Sequence, residues 1–153
     1  MKNVSSLDRV NIFNNELSFL VPHDWIEEIE DDHYLYHEPG NDSGWLRVSL
    51  VTSDRGVESA SDRLNRRLNT SETVVVEERT GNRILASEKD VKESGDRIHI
   101  YYWKVFNVVA PNFVYEAVFS YTVRAGRTND ADNRKLVKII GQVVGEAQFS
   151  PPA

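Results

Sequence analysis

The chain reads as a single α+β domain: one twisted antiparallel sheet of about six to seven strands with two main helices packed on it. Three observations predict this. Short β-prone runs are separated by tight turn signals, which makes successive strands antiparallel neighbours. Four such runs follow one another without a helix between them, which excludes a parallel α/β arrangement. The remaining pattern has helical period at two places only, and 153 residues suit one domain.

The first strand is Leu17 to Val21, with Leu17, Phe19 and Val21 on one face and Pro22-His23-Asp24 as the turn that ends it. After an acidic stretch, His33 to His37 and Trp45 to Val51 form two more strands, joined through Pro39-Gly40-Asn41-Asp42-Ser43-Gly44. A helix follows. Ser59 opens it as a capping residue, and Ala60, Leu64 and Leu68 recur every four residues as a narrow apolar stripe. Arg63, Arg66 and Arg67 lie off that stripe and form a solvated basic face.

Val74 to Glu78 and Arg83 to Ser87 bracket the turn Thr80-Gly81-Asn82. Arg97 to Val109 is a long strand after Ser94-Gly95-Asp96, and Pro111-Asn112 returns the chain into Phe113 to Val123. In that last strand Phe113, Tyr115, Ala117, Phe119, Tyr121 and Val123 share a face, while Glu116, Ser120 and Thr122 share the other. The closing helix is capped by Asp130, whose carboxylate accepts orphan amides and complements the helix dipole. Leu136, Ile139, Ile140, Val143 and Val144 form its stripe, and Gly145 is expected to stop it in a left-handed conformation. Phe149 docks, and residues 1–10 and 150–153 are expected to fray.

Composition excludes several functions. There is no cysteine, so disulfides, thiolate catalysis and cysteine-ligated zinc are out. A net charge of −6 opposes a nucleic-acid partner. No run approaches the ~18 apolar residues of a membrane span and no secretory signal is visible, so the expected location is the cytoplasm without membrane insertion. Glycine-rich phosphate loops, G-x-S-x-G and H-E-x-x-H are absent.

The most chemically loaded stretch is Asp31 to Glu38, DDHYLYHE, with two histidines four apart among three carboxylates. On a helix that spacing would bring both imidazoles to one ion. On a strand, at ~3.3 Å per residue, His33 and His37 stand roughly 13 Å apart, and Tyr34-Leu35-Tyr36 between them is β-prone. Neither metal nor cofactor is therefore expected, and the run Glu27, Glu28, Glu30, Asp31, Asp32 reads as a solvated edge or turn. Both faces of Ile98 to Phe106 are apolar, more than one covering helix needs, which points to a protein-contact surface or a homodimer interface. Tyr34, Tyr36, Tyr101 and Trp103 are the candidate binding residues, as aromatics with polar tips suited to a recognition groove.

Phe19-x-x-Pro22-x-x-Trp25, then Tyr34-x-Tyr36, Leu46-x-Val48-Ser49 and a helix, resembles the opening of the PsbP/DcrB/Mog superfamily. The later hairpins and the closing helix with its tail Ala147-Gln148-Phe149 are similar in outline. The resemblance implies a non-enzymatic domain that holds other proteins, with an antiparallel sheet between helices; the motif-like part, residues 17 to 51, is structural and carries no partner-specific residue. The function read from all this is a protein-interaction module, a bacterial chaperone or immunity-type protein acting through a sheet face or edge. The alternative is a small-ligand-binding or hydrolase-like cone-shaped α+β domain, with a pocket near His99 in which His99, His23 and Glu116 act as acid–base groups.

Overall fold

The computed structural model describes residues 6–40, 44–54, 75–79, 81–110 and 113–150. Nine strands come first: β1 (Leu7–Ile12), β2 (Leu17–Pro22), β3 (Ile26–Glu30), β4 (His33–His37), β5 (Trp45–Asp54), β6 (Val75–Arg79), β7 (Asn82–Glu93), β8 (Asp96–Ala110) and β9 (Phe113–Arg124). A short 3-10 turn at Ala125–Arg127, the helix α1 (Ala131–Gly145) and a two-residue strand β10 (Gln148–Phe149) complete the order. The helix expected over residues 59 to 68 and the Pro111-Asn112 turn lie outside the described residues.

The strands form two sheets where one was expected. Seven make a wholly antiparallel sheet in the order β3-β4-β5-β9-β8-β7-β6, and β1-β2-β10 make a second, smaller one. Leu17 to Val21 therefore does not join the main sheet. Its apolar face instead packs down onto it: Phe19 stands edge-on to Tyr36 of β4 and to Phe119 of β9, with ring centroids 5.7 and 5.2 Å apart. The segment that was expected to fray also carries structure, since β1 begins at Leu7.

Helix α1 lies against β2, β7 and β8. Its stripe behaves as its period requires, with Leu136, Ile140, Val143 and Val144 buried and Asp130 capping through the Asp132 amide. Together α1 and the small sheet cover one face of the large sheet, here the inner face. The core between them holds Leu46 and Val48 of β5, Ile84 of β7, Tyr101, Trp103 and Val105 of β8, and Ala117, Phe119, Tyr121 and Val123 of β9. Each large side chain fully buried there stabilises the fold by about 1.5–3 kcal/mol.

The helix does not end in a left-handed glycine. Gly145 is its last helical residue, and the Glu146 amide closes the turn onto the carbonyls of Gln142 and Val144. A long-range contact substitutes for the expected cap: the buried Asn82 side chain donates to the carbonyls of Gly145 and Ala147. Asn82 is accordingly the first residue of β7 and not part of the turn before it, where Gly81 supplies φ +84°. Ser94 and Gly95, both at positive φ, make the two-residue turn that links β7 to β8.

Candidate functional site

β3 is the outermost strand of the large sheet, and all five of its residues are exposed. Its sequence, Ile-Glu-Glu-Ile-Glu, has no strand-like alternation, so its conformation is imposed by pairing. The hairpin with β4, closed by Asp31 at φ +48° and Asp32, aligns Ile26 with His37 and Glu30 with His33. Cross-strand contacts then take up the carboxylates one by one. The Tyr36 hydroxyl donates to Glu27 at 2.7 Å, His37 Nε2 meets Glu28 at 2.8 Å, and His33 Nε2 lies 3.7 Å from Glu30. Burial, with the Glu27 hydrogen bond and charge behind it, pushes the Tyr36 phenol well above its ordinary value.

The DDHYLYHE histidines thus do engage carboxylates but share none: His37 meets Glu28, while His33 lies between Glu30 and its neighbour Asp32, 3.3 Å from Nδ1. His33 and His37 lie on β4, in the extended conformation their spacing implies, and both point to the outer face with Leu35 between them. The Nδ1 of His37 is directed at the Glu38 carbonyl, 2.8 Å away. Its ring tilts onto the Trp45 indole with centroids 4.1 Å apart. Among the described residues no group of three or more His, Asp or Glu is arranged to hold a metal ion.

Register places an apolar row across the outer face at this end. Ile26 pairs with His37, and His37 pairs with Trp45 on the next strand. Ile26 is 43% and Trp45 40% exposed, and Ile29, on the inner side of β3, is 65% exposed. Ile29 lies directly opposite Tyr34, which in turn meets Phe13 edge-on at 4.9 Å. Open edge, carboxylates and exposed apolar side chains therefore meet at one corner of the molecule.

The four aromatic candidates divide between two places. Tyr34 and Tyr36 stand on β4 behind this edge, Tyr34 half-buried and Tyr36 only 1% exposed. Tyr101 and Trp103, 9% and 8% exposed, lie stacked on each other at the α1 side of the sheet. The Tyr101 hydroxyl accepts from the Asn133 amide of α1 at 3.3 Å. A partner could reach these two fully only if the helix lifted.

The acid–base set His99, His23 and Glu116 is not assembled. His99 is on the inner face of β8, whereas Glu116 pairs with Phe106 on the outer face. His23 follows β2 and meets Asp8 at 2.7 Å, an exposed pair. The residues that do surround His99 are Asp90, 2.6 Å from Nδ1, and Glu88, 3.1 Å from Nε2, both from β7. Each ring nitrogen of His99 therefore already faces a carboxylate, and a substrate reaching the imidazole would have to displace one of them. Beside it is an open polar cleft lined by Asp90, Asp96, Arg97, Arg124 and Thr128. Glu88 and Asp90 escape a sequence reading that ends their strand at Ser87; the two-residue spacing of the carboxylates is the signal that places them on one face.

Comparison with known proteins identifies the architecture. No family model and no curated protein sequence matches the chain. Solved structures do. A protein from Bacteroides thetaiotaomicron VPI-5482 superposes with TM-score 0.66 at 17% identity, covering 94% of this chain and 48% of that one. The chain thus spans about half the length of that relative. LpqN of Mycobacterium tuberculosis, involved in cell envelope biogenesis, gives 0.57 at 11% identity, covering 95% and 91%. The Ran-binding protein Mog1p of Saccharomyces cerevisiae gives 0.54 at 10% identity, covering 94% and 95%.

Proposed function

Starting from a chain with the Mog1p/PsbP-like fold, we propose that it is a non-enzymatic protein-interaction domain that contacts its partner at the β3–β4–β5 corner. The observation that carries this reading is the exposed strand β3 lying beside the row Ile26–His37–Trp45. An open strand edge offers backbone donors and acceptors, and an adjoining apolar row offers area to bury. Tyr34 and Tyr36 serve the site from behind, Tyr36 by holding Glu27. The Ran-binding role of Mog1p supports a protein partner for this fold.

Photocrosslinking in the native host tests the reading. A photoreactive amino acid at position 26 or 45 is expected to give discrete protein adducts, and one at the exposed Lys138 of α1 is expected to give none. Adducts confined to position 138 would overturn the assignment of the contact surface.

A further inference from the structure

We infer that the occupant of this corner is a basic, extended segment of a partner protein that adds to the large sheet as a strand beside β3. The inference rests on the reading above and specifies the partner's chemistry. The hairpin register fixes which backbone groups are on offer. A two-residue turn closes on a hydrogen-bonded pair, here Glu30 and His33, and the bonding alternates from there. Glu28 and Ile26 are therefore bonded to β4, and the amides and carbonyls of Glu27 and Ile29 point outward along the open edge.

Charge selects what can use them. On the outer side the edge presents Glu28 and Glu30, with side chains about half exposed, and on the inner side Glu27 beside Ile29. A second copy of β3 laid against the first would set carboxylates opposite carboxylates, which is destabilising. Lysine or arginine opposite Glu28 and Glu30, with an aliphatic residue opposite Ile29, complements both sides at once. Strand addition of this kind draws affinity from main-chain bonds and specificity from alternating side chains. The edge of the small sheet offers no comparable field, because β1 carries Asp8 and Arg9 side by side.

The 153-residue chain and two synthetic octapeptides, one alternating lysine and valine and one alternating glutamate and valine, provide the test. The lysine peptide is expected to slow amide exchange at Glu27 and Ile29, to bind more weakly as salt rises, and to bind more tightly than the glutamate peptide. Ile29→Pro removes an outward amide without breaking the ladder to β4, so binding is expected to fall about tenfold. Glu28→Lys with Glu30→Lys, which leaves the backbone alone, is expected to reverse the peptide preference and carries the test should Ile29→Pro not fold. Equal binding of the two peptides, protection away from β3, or a dimer of the protein joined through β3 would overturn the inference. If crosslinks at positions 26 and 45 persist while the lysine peptide leaves β3 unprotected, the contact surface stands and the basic-strand partner falls.

Discussion

Asn82 donates a 2.7 Å hydrogen bond to the carbonyl of Ala147, 65 residues away, from a side chain with no exposure to solvent. The same amide donates to Gly145 at 3.1 Å, and its oxygen accepts from Asn107 at 2.8 Å. One side chain thus satisfies the end of α1, the residue before β10 and a neighbour on β8. Asn82→Ala leaves two carbonyls and an amide without this partner, and a cost of about 3 kcal/mol is expected. Urea unfolding should show a lower midpoint at unchanged slope.

Gly44 is required for a different reason. Its φ is not positive, yet a Cβ there would stand 2.4 Å from both Cζ and Oη of Tyr121. That ring is buried and stacked on Trp25, so it has little room to yield. Gly44→Ala is expected to destabilise by about 1–3 kcal/mol. Gly126→Ala, where a Cβ would meet nothing, should leave the thermal midpoint nearly unchanged.

Four of the six tyrosines should resist alkaline titration. Burial raises the phenols of Tyr36, Tyr101, Tyr115 and Tyr121, reinforced at Tyr36 and Tyr115 by hydrogen bonds to Glu27 and Glu16. Because each folded value lies above the unfolded one, the protonated folded state is favoured. That stability is complete below about pH 10 and is lost as pH rises toward the folded values. Phenolate absorbance of the native protein is expected to account for fewer than six tyrosines just above that pH, and urea should release all six. Six normal titrations in the native state would contradict the packing described.

His23 is raised as well, by its hydrogen bond to Asp8 and by the charges of Asp8 and Asp24. Here the protonated ring is the favoured form, so the pair tightens the β1–β2 hairpin fully below about pH 6.5 and releases it as pH climbs through the raised value. Imidazole titration by NMR should place His23 above the ordinary value, and Asp8→Asn should bring it down. An unmoved titration would show that the contact does not form in solution.

What could be read in advance follows the range of the forces involved. α1 and β9 were legible because their periods, 3.6 and 2, mark faces that are buried: Leu136, Ile140, Val143 and Val144 on one, and Tyr115, Ala117, Phe119, Tyr121 and Val123 on the other; the opposite face of β9 is drier than its polar residues imply, with Val114 and Glu116 also buried. The extended state of His33 to His37 followed from its aromatic, β-prone middle. β3 was not legible, because Ile-Glu-Glu-Ile-Glu lacks strand alternation, its two isoleucines standing at the i, i+3 spacing of a helix face, and it becomes a strand only through its cross-strand contacts to Tyr36, His37 and His33. The second sheet was hidden for a similar reason: nothing local to Leu17 announces a partner at Phe149. At the candidate site, the octet and the acidic run were each visible as composition, but their joining into one corner depends on hairpin register. On the outer face of Ile98 to Phe106, Phe106 is buried and Ile98, Ile100 and Tyr102 are half-buried.

The pairing of β2 with both β1 and β10 has a consequence for how the molecule is made. β1 and β2 can meet as soon as they are synthesised, but the other side of β2 waits for Gln148 and Phe149, and Glu16 waits for the amide of Ser150. Contacts of such sequence separation form late and slow folding. A nascent chain on the ribosome therefore holds Leu17, Phe19 and Val21 without their full covering until translation has passed residue 150, and in that interval these residues are open to chaperone capture.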